Sequence, residues 1–322
     1  GAGNARAQGI PVIDAANLVQ TTPQGDQIET LTHGERWFVD AFSVMQLPGG
    51  CMNRQCDMSQ AARLVSRLKQ HGIAATYTHV LLRAVALALS RCPESHQIVC
   101  GYRRIRPGRV DIGLSVAGQT SYAPVLVISD ATDKTLPALV QLLKEAVPQT
   151  REKEQRDLDG MKRNGWLIPI GFLRRAILRL LGQMFWFRHK LVGTFQVTCV
   201  RQVDSVTPLT FYSSAALGAG EVRDRVIAVQ GRPEVRPTMI LTMSFDHGSL
   251  DGRRTSDLLE TIASILESDE LLREVEQQLG PLPVVDQPVL PSHTATSPTL
   301  SDAAVLAASE PTALTASACA GE

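Results

Sequence analysis

The stretch "SFDHGSLDG", Ser244 to Gly252, sets a single imidazole, His247, behind a run of apolar residues, with Asp251 four positions on and Gly252 directly after it. Imidazole exchanges a proton near neutral pH, so a histidine at this place is a candidate general base. Along "TMILTMSFDH" the residues Met239, Leu241, Met243, Phe245 and His247 fall on one side of an extended chain. His247 therefore ends an apolar row, where a rigid strand fixes the ring while substrate can still reach it. The plain alternative is a buried or solvated histidine with no chemistry. Asp251 precedes the amphipathic run "RRTSDLLETIASILES" and reads as the N-cap of that helix, and Gly252 permits a tight turn into it.

The elements that must hold this loop mix helices and strands without strict alternation. "MSQAARLVSRLKQHG" predicts an amphipathic helix capped by Ser59 and closed by Gly72. "YTHVLLRAVALALSRCPE" is apolar around most of its circumference and predicts a buried helix ending before Pro93. Strands are expected at "RVDIGLSVA", "APVLVIS", "GTFQVTCV", "FYSSAALGAGEV" and "TMILTMSF", with a hairpin over "VRDRVIAVQGRPEVRP" and a helix capped by Thr135. The fold class that follows is α/β, a mixed β-sheet covered by helices in two layers. Asn164 to Lys190 reads as one amphipathic helix carrying Trp166 and Trp186, with Arg175 and Arg179 on a different stripe from Leu173, Ile177 and Leu181. Packing on its own domain or a neighbouring subunit is favoured for it over a membrane-surface or partner-docking role. The expected domains are an arm over 1–34, a catalytic domain over 35–279 and a disordered tail over 280–322, which is rich in Pro, Ser, Thr and Ala without an aromatic residue.

With 322 residues, 44% of them hydrophobic, the chain can bury a full core. Its 32 basic and 32 acidic residues give no electrostatic reason to expect nucleic acid or an anionic membrane as the main partner. The six cysteines show neither CxxC pairing nor zinc spacing, so reduced thiols, a cytoplasmic setting and no metal are expected. Neither an apolar leader with a basic start nor an apolar run of membrane-spanning length is visible.

The H-x-x-x-D-G string at a strand-to-helix junction resembles the signature of the chloramphenicol acetyltransferase-like superfamily. "TMILTMSFDHGSLDG" is most similar to the catalytic domain of dihydrolipoamide acyltransferases, the E2 components of 2-oxoacid dehydrogenase complexes. "ILESDELL", "TYTHVLLRAVALALSRCPE", "RVDIGLSVAGQTSYAPVLVISDATDKTLPALVQLLKEA" and "GTFQVTCV" follow the same order as in that family, so the resemblance runs from about Arg36 to Leu272. It implies a chloramphenicol acetyltransferase-like fold and a homotrimer or higher multiple. It assigns His247 as the general base and Thr198 as the hydroxyl that hydrogen-bonds the oxyanion from the neighbouring subunit. Asp251 would hold the turn through a basic partner, with Gly252 structural beside it. The acyl donor would be a thioester, coenzyme A in the simplest case.

Several departures shape the expected function. Gly248 stands where the dehydrogenase-complex proteins usually have Arg, "CVRQVD" follows Thr198, and an insertion occupies about 161–190. No lipoyl domain precedes the matching stretch, and Lys134 in "DATDKTL" is not expected to be lipoylated, because it falls inside the catalytic match. The expectation is a stand-alone acyltransferase moving an acetyl or similar group from acetyl-CoA to a hydroxyl of a small molecule, by analogy with tetronate-type natural-product enzymes. The alternatives are a dihydrolipoamide acyltransferase core subunit and a trimeric scaffold without chemistry. A condensation domain of peptide synthetases fits less well, since Asp246 rather than a second histidine precedes His247.

Overall fold

The computed structural model describes residues 20–30, 49–117, 124–164, 177, 180–210 and 212–282. In chain order the strands are β1 (Gln20–Thr21), β2 (Gln27–Thr30), β3 (Gly49–Asp57), β4 (Ile98–Cys100), β5 (Arg103–Arg106), β6 (Ile112–Ser115), β7 (Val125–Ile128), β8 (Phe195–Cys199), β9 (Ala215–Ala219), β10 (Arg223–Val229) and β11 (Arg232–Asp246). The helices are α1 (Ser59–Gln70), α2 (Tyr77–Arg91), α3 (Leu136–Asn164), α4 (Phe185–Val192), α5 (Gly252–Glu267) and α6 (Glu270–Leu279).

β11 is the spine of the molecule. Along its length it pairs antiparallel with β10 over Arg232–Thr238, with β3 over Thr238–Asp246 and with β9 over Leu241–Phe245. β8 and β6 continue the sheet in parallel and β7 closes it antiparallel, giving a mixed seven-stranded sheet. A smaller sheet orders β1, β2, β5 and β4. The alternation of β11 sends Met239, Leu241, Met243 and Phe245 into the core, where they meet buried residues of α2 and α5 such as Leu81, Val85, Leu258 and Ile262. The mixed sheet under a helical layer is the fold class expected from the sequence.

Four expectations need correction. The hairpin's second strand and "TMILTMSF" are one 15-residue strand. The hairpin turn is Gln230–Gly231, with φ of 50° and 77°, the conformation of a tight turn matched to sheet twist. The cap of α1 is not Ser59, which is the first helical residue: its N–H and hydroxyl both donate to Asp57 Oδ1, at 2.8 and 2.6 Å. Asn164 to Lys190 is not a single helix either. α3 runs on to Asn164, and the helix is broken at Gln183–Met184 before α4 begins. Gly252 is not in the left-handed region; a Cβ there would meet only the Met52 methyl at 3.2 Å, so close approach and not backbone freedom favours glycine. Trp166, the arm outside 20–30 and the tail beyond 282 lie outside the described residues.

Candidate active site

His247 follows the last residue of β11, is exposed, and rests its ring edge-on against Phe245 with centroids 4.7 Å apart. The turn that carries it is built by the residue before it. Asp246 is tied to the sheet by its N–H donating to the Ser214 carbonyl at 2.8 Å. Its carboxylate accepts the Gly248 N–H and the Ser249 hydroxyl, each at 2.9 Å, and its carbonyl accepts the Ser249 and Leu250 N–H groups. An Asp side chain that accepts the N–H two residues on imposes a turn. Ser249, 6% exposed, then carries the turn into the interior: its hydroxyl accepts the Val99 N–H at 3.1 Å and its carbonyl accepts the Gln97 side-chain amide at 2.7 Å. The base is therefore clamped between the large sheet and the β4 side of the small one.

Asp251 lies at the N-cap of α5, where its Oδ1 accepts the Arg254 N–H at 2.8 Å and its other oxygen is 3.8 Å from the Arg254 guanidinium. Both roles read from the sequence, cap and ion-pair partner, fall on this carboxylate.

Thr198 occupies a different part of the sheet. Its register partners are Ser115 on β6 and Gly218 on β9, and Gly218 in turn faces Thr242, which faces Asn53. Paired residues share a face, so Ser115, Thr198, Thr242 and Asn53 form a polar row on the side away from the helices. The chain after β8 crosses this row: a Cβ on Gly218 would fall 2.2 Å from the Val206 carbonyl oxygen. Beneath it, the buried hydroxyls of Thr242 and Ser244 have no hydrogen-bond partner among the described residues. Thr198 is two strands from β11 and level with Thr242, five residues before His247. At about 4.8 Å per strand and about 3.3 Å per residue, that places the two roughly 19 Å apart within one chain. The fold thus does not bring Thr198 to its own His247.

The neighbouring Cys199 is not a competing nucleophile. Burial pushes its thiol up to about 11, with a hydrogen bond to Thr78 opposing, so it stays protonated near neutral pH. The strand bearing Thr198 is fixed at its start by a buried cluster. The Thr194 hydroxyl donates to the Asp111 carbonyl at 3.0 Å and accepts the Asp111 N–H at 3.0 Å, which leaves His96 Nε2 to donate to it at 2.8 Å. Burial lowers His96 to about 4, so it is neutral. Asp111, 1% exposed, would be raised by burial alone, but the bonds from His189 and the Asp130 N–H and the charge of Arg109 hold it below its ordinary value. Sequence reasoning missed Asp246 and Ser249, although Asp followed two residues later by Gly is a recognisable turn signal. It also missed His96 and Asp111, for which no local pattern exists. Among the described residues no group of three His, Cys, Asp or Glu side chains is placed to hold a metal ion.

The arrangement is a strand-end histidine clamped by its own turn, on a mixed sheet covered by helices. The family description "2-oxoacid dehydrogenases acyltransferase (catalytic domain)" matches residues 42–162 and 193–273, more than half of the chain, and the protein belongs to that family. Among curated proteins it is similar to the dihydrolipoyllysine-residue succinyltransferase component of the 2-oxoglutarate dehydrogenase complex. The version from Escherichia coli K12 is 27% identical over 200 residues, covering 62% of this chain and 42% of that protein. The Haemophilus influenzae version is 28% identical over 209 residues, covering 64% and 44%. The chain spans less than half the length of these relatives. A solved dihydrolipoamide acetyltransferase from Azotobacter vinelandii, studied for the catalytic role of a serine, a histidine and an asparagine, is 18% identical with TM-score 0.54, over 82% of this chain and 98% of that one. The cubic core of a pyruvate dehydrogenase multienzyme complex matches with TM-score 0.53 at 18% identity and the same coverage. The fold is thus that of these acyltransferase cores.

Proposed function

We propose that the chain transfers an acyl group between coenzyme A and a dithiol of the dihydrolipoyl type, with His247 as the general base. The observation that carries this reading is the His247 turn followed at the fourth residue by the Asp251 cap. The Azotobacter enzyme has a histidine and an asparagine at the same separation. His247 removes the proton of the acceptor thiol as its sulfur attacks the thioester carbonyl. A tetrahedral oxyanion forms, the bond to the leaving sulfur breaks, and the imidazolium returns its proton to that sulfur. Thr198 of a neighbouring subunit donates to the oxyanion, because the separation within one chain is too large for a direct contact. Such a donor is worth about 3 kcal/mol when preorganised. Coenzyme A enters as a substrate, and oligomerisation, with a trimer as the smallest form, is a condition of activity.

The named relatives act on dihydrolipoyl groups, which favours a thiol acceptor over the small-molecule hydroxyl expected from the sequence. The test is thioester formation on free dihydrolipoamide from acetyl-CoA and succinyl-CoA. Turnover lost in His247→Ala and lowered about a hundredfold in Thr198→Ala supports the proposal. Transfer to hydroxyl acceptors alone, or full activity without His247, overturns it.

A further inference from the structure

The family match leaves a gap at 163–192, and the part of that gap described by the structure presents the wrong side chains to solvent. α4 turns Arg188 and His189 inward. Arg188 donates to the Tyr212 carbonyl at 2.9 Å and the Val99 carbonyl at 2.8 Å, and lies 3.0 Å from the Cys100 sulfur. His189 bonds the buried carboxylate of Asp111, and Phe185 packs on Ile98, Cys100 and Ile105 of the small sheet. These anchors at positions 185, 188, 189 and 192 fix which face points outward. On and beside that outer face Leu180 is 62% exposed, Trp186 59%, Leu191 41% and Met184 37%. Four of the eleven large apolar side chains exposed among the described residues therefore fall within twelve positions, and no amphipathic logic of this chain alone accounts for them.

The charge of the same segment indicates what covers it. In a chain balanced at 32 basic and 32 acidic residues, 163–192 contains Arg163, Arg174, Arg175, Arg179, Arg188 and Lys190 and neither Asp nor Glu. Of the charges described here, Lys190 is exposed on α4. Arg103 is also exposed; it pairs with Cys100 on the sheet that α4 packs against. Exposed Trp186 and Leu191, in a segment whose sequence carries basic and no acidic residues, match the acyl boundary and headgroups of an anionic bilayer. No described helix is long and apolar enough to cross a membrane, so contact would be with the surface.

We infer that the 180–191 face docks this protein on an anionic lipid surface, with Trp186, Leu191 and Met184 entering the interface and Lys190 and Arg103 meeting phosphate groups. The inference is independent of acyl transfer. The test is flotation of the full chain with vesicles of phosphatidylcholine alone and of an equimolar mixture of phosphatidylcholine and phosphatidylglycerol. The protein should float with the anionic vesicles only, and added salt should release it. Lys190→Glu should weaken binding about tenfold, and Trp186→Asp and the milder Leu191→Gln should weaken it further, with melting curves like that of the wild type. Failure to float with either vesicle, or unchanged flotation in Leu191→Gln and Lys190→Glu, overturns the inference. Dissociation of an oligomer by Trp186→Asp in sedimentation would do so as well, by assigning this face to a second copy.

Discussion

Removing one oxygen, in Ser249→Ala, tests how the base is held. Ser249 is 6% exposed and its hydroxyl makes two bonds, donating to the Asp246 carboxylate at 2.9 Å and accepting the Val99 N–H at 3.1 Å. A charge-assisted bond contributes about 1.5–3 kcal/mol, and leaving the backbone N–H of the buried Val99 without a partner costs about 1–3 kcal/mol. The losses overlap, because the turn relaxes once either bond is gone. About 2–4 kcal/mol in all is expected, or roughly 5–10 °C in melting temperature for a domain of this size. The assay is equilibrium unfolding in urea together with initial rates of acyl transfer. kcat should fall while KM for coenzyme A stays within about twofold, because the ring loses its support and no binding surface is altered. A stability loss below about 0.5 kcal/mol would show that the Asp246–Ser249–Val99 chain does not hold the turn.

Two further outcomes follow from the same geometry. His96, lowered to about 4 by burial, gives a definite sign: between pH 6.5 and about 4 the unfolded chain binds a proton that the folded chain refuses. Stability is therefore complete above 6.5 and falls by about 3 kcal/mol towards pH 4, and His96→Asn should flatten that slope in acid unfolding curves. Asp251→Ala removes the cap on Arg254 and should cost about 1 kcal/mol with only a small fall in kcat, whereas a loss matching that of His247→Ala would make Asp251 a catalytic group.

What the sequence revealed was local. The apolar row from Met239 to Phe245, the buried helix now α2 and the capped start of α5 each follow from periodicity or a single side chain, and the structure has them in those places. What stayed hidden depended on residues far apart in the chain. The hairpin and the final strand read as two because Pro237 interrupts the pattern, yet β11 runs through it while β10 and β3 share its length. The inverted helix α4 could not be oriented from its own spacing, since its inward face is chosen by Asp111, Val99 and Cys100, some 80 residues upstream. The distance between Thr198 and His247 likewise follows from strand order, which sequence pattern does not specify.

That distance makes the central claim measurable. His247→Ala and Thr198→Ala chains, each nearly inactive alone, are mixed in equal amounts, unfolded and reassembled. If the base and the oxyanion donor come from adjoining protomers of a trimer, every mixed trimer contains one intact site, and about a quarter of wild-type activity returns. Activity no higher than that of the separate variants, in material shown by sedimentation to be mixed, would mean that the two residues do not act together across a subunit boundary.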